Sequence, residues 1–308
     1  MSYKKGHFFL LVFLFLLTTA LPLMASDLKD TYVDLLMRGE YEELSQHLAK
    51  WEEIAPQDPE LYIAYFNYYF NLGRREGVRI GTHPPEDKEA MALKDPETGE
   101  ISGYMYYDTY YDEEHIGLAL DYLDEGLKRY PDRLDMHFGK VHVLGVVARY
   151  EEQKDALLEV LNISSGNGNN WLWHNGEKLD DGFGFMLENI QGRLYAYFNL
   201  EDENAGNYNY IIEVSEKIIE LYPAVVYPYN NIAAVYYSQG DYEGAIKYFK
   251  LAEEQAPFDT IVINNIAYLS AITGDLETAL EYYEKLKLYG NEEEKKLAEE
   301  QIKRFSAK

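Results

Sequence analysis

Residues 226–260 read VYPYNNIAAVYYSQGDYEGAIKYFKLAEEQAPFDT, and their spacing describes two short antiparallel helices. Tyr229, Ile232, Ala233 and Tyr236 recur at three- and four-residue intervals, the stripe of a first helix. Gly240 closes that helix, because a residue without Cβ reverses the chain at little steric cost. A second helix starts after Asp241, presents Ala245 and Ala252 for close helix contact, and stops before Pro257. Moved on by 34 residues, the pattern returns. Asn230-Asn231-Ile232-Ala233 becomes Asn264-Asn265-Ile266-Ala267, and Gly240, Ala245 and Phe249 become Gly274, Ala279 and Tyr283. Such a period marks stacked helix pairs, each too small to bury its apolar face alone.

The phase holds outward from there. Gly206, Tyr208 and Pro223 stand one period before Gly240, Tyr242 and Pro257. Far upstream, Gly39, Tyr41, Leu44, Leu48, Trp51 and Pro56 repeat the second-helix pattern, and both Gly-to-Pro intervals are 17. Leu44 and Trp51 replace the two small residues there, which predicts looser packing. Gly73 lies 34 residues after Gly39 and is expected to turn the chain after the aromatic helix Leu61 to Leu72. Pro84-Pro85 then forbids a second helix. Asp95-Pro96-Glu97-Thr98-Gly99 is a turn signal between Met91 to Lys94 and Glu100 to Met105. Residues 74–111 therefore read as an insertion carrying a β-hairpin over Met91 to Met105, with strand confined to it. The missing helix resumes at Asp112, a capping residue followed by Glu113 and Glu114 at the positive helix end. Ala119, Leu123, Gly126 and Pro131 take the small, large, small and proline positions.

A third pair, Leu134 to Ala148 and Glu151 to Leu161, fits the pattern weakly and is the expected weak seam. A second insertion covers about 164–184. In it Gly166-Asn167-Gly168-Asn169-Asn170 reads as loop, followed by Trp171-Leu172-Trp173. A fourth pair spans Phe185 to about Leu200 and Tyr208 to Leu221. Glu292 to Phe305 is charged outside, as a terminal capping helix requires.

Composition excludes several functions. Asp and Glu number 54 against 28 Lys and Arg, a formal charge of −26 that repels phosphate backbones, so nucleic acid is not an expected partner. The absence of cysteine removes disulfides, thiolate metal sites and cysteine catalysis. Phosphate-cradling loops, zinc-binding His pairs, nucleophile elbows and Ca²⁺ loops are not found. Asp112-Glu113-Glu114-His115, the one local acid/His cluster, is explained as a helix start. No catalytic residue, metal or cofactor is expected. Lys4 and Lys5, the apolar run Phe8 to Leu17 and a small-residue tail ending at Ala25 read as an export signal over 1–25. That run is too short to span a bilayer comfortably. The expected product is periplasmic or secreted and lacks a membrane span after cleavage, with a retained N-terminal anchor as the alternative. The sequence leaves its oligomeric state open.

The period and residue set resemble the tetratricopeptide repeat, strongly over 226–290 and 39–73 and more weakly in the third and fourth pairs. The whole chain is similar to exported bacterial proteins of that class. The resemblance implies an all-α solenoid over 26–308: a right-handed superhelix of about six helix pairs, interrupted by the two insertions. First helices of such solenoids line a concave groove that takes peptides or partner proteins, and the class is seldom enzymatic. By the same resemblance Asn231 and Asn265 contact a ligand backbone, and Asn67 and Asn71 lie on groove-facing positions of the second repeat. The Lys and Arg residues that grip a carboxylate terminus in chaperone-binding members are not evident beside them, so such a clamp is not expected. The aromatic residues of the insertions complete the candidate set. Tyr104, Tyr106, Tyr107, Tyr110 and Tyr111 crowd the first. Trp171 and Trp173 in the second either pin their loop to the solenoid or project as a recognition tip. The expected function is a non-enzymatic protein- or peptide-binding scaffold of the bacterial envelope. The alternative is a glycan-binding module using exposed Tyr and Trp faces of the insertions.

Overall fold

A computed structural model describes residues 27–85, 88–200 and 208–306; the expected export signal and Gly206 lie outside them. The described chain is a solenoid of α-helix pairs with two insertions, and it divides into two compact units. The first comprises residues up to Arg149 together with Trp171–Asp180; the second comprises Tyr150–Asn170 and the chain from Asp181 onward. No helix among the described residues is long and apolar enough to cross a membrane.

In the first unit, helix α1 (27–38) pairs with α2 (Tyr41–Ile54), and α3 (Pro59–Gly73) pairs with α4 (Glu113–Arg129). Helix α5 (Leu134–Val146) follows α4 and packs on it. Leu44 and Trp51 are not loosely packed: both are buried among Leu28, Tyr32, Leu35 and Leu61. Larger side chains at a helix contact set a wider separation between the helices. Trp51 also meets the edge of the Tyr32 ring, centroids 6.1 Å apart, and donates its indole N–H to Asp58, 3.1 Å away.

Gly73 does not turn the chain. Helix α3 runs directly into strand β1 (Arg74–Gly81), which pairs antiparallel with β3 (Ile101–Tyr111); β3 also pairs with β2 (Ala90–Lys94). The expected hairpin is β2–β3, but strand is not confined to it. The reason is geometric. Asp112 caps α4 beside Gly73, its N–H donating to the Gly73 carbonyl at 2.8 Å, so the outgoing and returning chains lie side by side and pair. A Cβ on Gly73 would come within 3.0 Å of the His115 Cβ, so the glycine serves a close approach of α3 to α4. Asp112 caps as expected, accepting from the His115 N–H at 3.1 Å. Of the insertion tyrosines, Tyr107 and Tyr110 are exposed, whereas Tyr111 stacks on Phe70 with centroids 5.1 Å apart.

The second unit contains α6 (Tyr150–Asn167), α7 (Gly182–Phe198), α8 (Asn209–Leu221), α9 (Tyr227–Ser238), α10 (Tyr242–Gln255), α11 (Thr260–Thr273), α12 (Leu276–Tyr289) and α13 (Glu292–Ser306). The helices expected as a third pair fall in different units, and α6 packs on α8. Helix α6 also continues through Ser164, Gly166 and Asn167, against the expectation of a loop; Gly168, Asn169 and Asn170 lie beyond it, the first two at positive φ. Ser164 is buried there and donates to Asn169 Oδ1 at 2.6 Å, which holds the extra turn in place.

From α9 onward the pattern is regular. Ala233, Ala245, Ala252, Ala267 and Ala279 are fully buried at the helix contacts. Gly240 and Gly274 adopt φ of 77° and 86°, the left-handed conformation that ends each first helix. Asp241 and Asp275 cap the second helices by accepting from Gly244 and Thr278 N–H groups at 2.8 and 3.1 Å. Asn291 and Glu294 form a reciprocal cap on α13, whose Ala298, Ile302 and Phe305 close the apolar core.

Candidate functional site

Helices α1, α3 and α5 surround a cavity of about 330 Å³ in the first unit, within the range of ligand sites. Its walls are apolar and aromatic: Tyr32 and Val33 from α1, Trp51 from α2, Ile63 and Phe66 from α3, Met136 from α5. Asn67 supplies an amide. The buried Tyr32 hydroxyl makes no hydrogen bond of standard geometry; the Asn67 amide stands beside it, and burial pushes its pKa up to about 12.

Part of the second insertion closes one side. Strands β4 (Leu172–Trp173) and β5 (Glu177–Lys178) form a small hairpin whose turn carries Asn175 at φ 63° and Gly176 at φ 70°. Asn-Gly is the pair best suited to two successive left-handed residues. The hairpin is fastened to the start of α5: the Leu172 N–H donates to the Asp132 carbonyl at 2.9 Å, and Trp171 is fully buried edge-on to His137. Trp173 and His174 then contribute to the cavity wall. Pinning is therefore the role of Trp171, whose ring no ligand can reach, while the half-buried Trp173 lines the cavity.

Four charged side chains form the polar side of the site. Arg133 is 2% exposed. Its Nη2 donates to Glu60 Oε1 at 2.6 Å and Asp135 Oδ2 at 2.7 Å, and its Nε donates to Asp135 Oδ1 at 2.9 Å. Lys29 donates to Glu60 Oε2 at 2.8 Å and also to the Asn175 side chain, tying α1 to the hairpin. Burial alone would push the Glu60 carboxyl up, but Lys29 and Arg133 together hold it below the usual glutamate value. A wider vestibule of about 1000 Å³ adjoins the cavity, sharing Lys29, Val33, Trp51, Glu60 and His174 with it. Asp30, Asp34, Asp58 and Glu60 line this vestibule against Lys29 as its one Lys or Arg. Sequence reasoning reaches Asn67 and Trp173 but not Lys29, Glu60, Arg133 or Asp135. The Asn-Gly pair after Trp173 is a usable signal for the hairpin; the ion network joins residues 73 apart and leaves none.

The remaining asparagines divide. The Asn71 side chain donates to the Asn67 carbonyl of its own helix at 2.8 Å. Asn231 and Gln191 exchange a pair of amide hydrogen bonds, 2.8 and 3.1 Å, between α9 and α7. Asn265 is half-buried and makes no side-chain hydrogen bond among the described residues. The 34-residue period thus repeats the residue without repeating its contact.

Residues 226–259 match the tetratricopeptide repeat family model. One tetratricopeptide repeat is thus matched, over α9 and α10, within a chain of helix pairs that carries two insertions. Solved structures similar to it include a tetratricopeptide repeat protein from Parabacteroides merdae ATCC 43184, at 14% identity over 86% of this chain and 80% of that one, TM-score 0.34. MamA from Desulfovibrio magneticus RS-1 is 14% identical over 85% of this chain and 92% of its own, TM-score 0.27. YrrB, described as a TPR protein with an unusual peptide-binding site, is 20% identical over 54% of this chain and 74% of its own, TM-score 0.30. No curated protein matches the chain.

Proposed function

We propose that the protein is a non-enzymatic adaptor of the bacterial envelope that binds a polypeptide segment in the cavity of its first unit. The observation that carries this reading is the cavity itself. First-helix side chains line it, Trp173 helps to enclose it, and it adjoins an open vestibule. Its apolar walls offer burial to a side chain. The Asn67 amide offers both donor and acceptor to a peptide backbone without reading its sequence. Helix pairs of this class present such surfaces on a rigid scaffold, which keeps the ordering cost of binding low.

A photo-reactive side chain at Ile63, inside the cavity, is expected to cross-link a polypeptide from the native envelope fraction; the same group at Glu53, exposed on α2, is not. Equal labelling from both positions, or none from position 63, would refute the cavity as the site. The envelope assignment rests on the sequence of residues 1–25. Cell fractionation with determination of the mature N-terminus tests it, and an intact Met1 in the cytoplasm would overturn it.

A further inference from the structure

The walls of the site and the mouth of the site differ in character, and the difference specifies a ligand. Within the cavity the charges cancel: Arg133 and Lys29 are both engaged by Glu60, and Arg133 also by Asp135. What the cavity offers an incoming group is the half-buried Ile63 and Trp173, backed by the buried Trp51, Phe66 and Met136. Such a surface takes an uncharged, bulky apolar side chain and rejects a charged one, which would lose its hydration without gaining a partner.

The vestibule is unbalanced. Lys29 is already shared by Glu60 and Asn175, and Asp34 has Arg38 at 2.9 Å. Asp30 and Asp58 have no cation beside them among the described residues. Asp58 accepts from the Trp51 indole and from the Glu60 N–H, and neither donor is a cation. An exposed acidic rim around an apolar hole attracts cations and screens poorly at low salt.

Resting on the reading of this cavity as a peptide site, we propose that its ligand is a peptide segment in which a bulky apolar residue is flanked by lysine or arginine. The apolar side chain enters the cavity among Trp51, Phe66 and Trp173. The flanking cation stays in the vestibule near Asp30 and Asp58, largely hydrated. The two contacts act on neighbouring residues of one strand because cavity and vestibule share a rim at Val33, Trp51 and His174. The chain's own strongly acidic character, 54 acidic against 28 basic residues, works the same way at longer range.

The test uses the full-length chain and four synthetic heptapeptides. Three have a central leucine flanked by lysines, serines or glutamates, and the fourth has a central serine flanked by lysines. The tryptophan emission of the protein is the readout, since Trp51 and Trp173 line the cavity. At low salt the lysine-flanked leucine peptide is expected to bind about tenfold more tightly than the glutamate-flanked one, and added salt is expected to shrink that ratio. Asp30→Asn should reduce the ratio at an unchanged melting temperature. Ile63→Trp, which fills the cavity, should abolish the preference for leucine over serine. Equal binding of lysine- and glutamate-flanked leucine peptides would overturn the charge selection while leaving the peptide site standing. Equal binding of the two lysine-flanked peptides would overturn the apolar anchor. Failure of every peptide to bind would overturn the peptide site and the selection together.

Discussion

Replacing Arg133 by methionine removes the one cation that two carboxylates of the site share inside the protein. The guanidinium is 2% exposed and makes three charge-assisted hydrogen bonds, at 2.6, 2.7 and 2.9 Å. Methionine fills similar volume, so the cost is electrostatic and not a void. Glu60 retains Lys29 at 2.8 Å and Asp135 retains only the Met136 N–H at 3.1 Å, so Asp135 becomes the orphan. Breaking a buried ion pair from one side costs about 3–5 kcal/mol. Because half of the acceptor set keeps a partner, the expected loss lies at the lower end, about 3 kcal/mol. All three tryptophans, Trp51, Trp171 and Trp173, lie in the first unit, so urea unfolding followed by tryptophan emission reports that unit. Adding Asp135→Asn removes the orphan charge and is expected to return part of the loss, with a coupling of about 0.5–3 kcal/mol. A loss below about 1 kcal/mol, the level of exposed pairs, would refute the buried network as described.

Gly240→Val should cost about 1–2 kcal/mol, because φ there is 77° while nothing lies within 4 Å of the added Cβ. Gly240→Asn should cost less, and equal melting temperatures for both variants would deny a conformational cause. Asn231→Ala breaks the amide pair with Gln191 and should lower stability by about 0.5–1.5 kcal/mol per hydrogen bond, whereas Asn265→Ala should leave the melting temperature unchanged. Acid should weaken the first unit through Glu60. Its folded carboxyl titrates below the ordinary 4.5, so its contribution is complete above that value and is lost as pH falls through the lower, folded one. A Glu60→Gln variant should show a smaller loss of stability between neutral pH and pH 4, read from urea midpoints; an equal loss would assign the acid sensitivity elsewhere.

The legible parts of this fold are those where one residue type does one local job. Gly240, Gly274 and Gly39 mark left-handed turns. Asp112, Asp241 and Asp275 mark caps. The buried alanines mark close contacts between neighbouring helices. Each depends on contacts within a few residues, so spacing alone carries it. The misreadings share a different origin. Gly73 reads as a turn because it keeps the period after Gly39, but the 74–111 insertion places a strand directly after it. There the absence of a Cβ serves the approach of Asp112 and His115. Strand β1 escapes a sequence reading because Arg74–Gly81 has no strong alternation of its own; the return of the chain to Asp112 imposes its pairing.

The candidate site shows the same division more sharply. Asn67 and Trp173 are legible because an amide or an indole on a first helix or in a polar loop is conspicuous anywhere. Arg133 is not, since an arginine near a helix start reads as ordinary surface. What makes it different is Glu60, 73 residues earlier, and Leu172 of a hairpin that the period does not contain. Periodicity carries the helices but says nothing of segments laid across them. In this chain both the enclosure of the cavity and part of its rim come from such a segment, Trp171–Asp180. The phase of the repeat therefore locates the first helices but not the contacts made between them. Asn231 and Asn265 hold equivalent positions one period apart. Yet one is bound to Gln191 and the other has no partner among the described residues. The neighbour across the helix pair, not the position in the repeat, decides what each asparagine does.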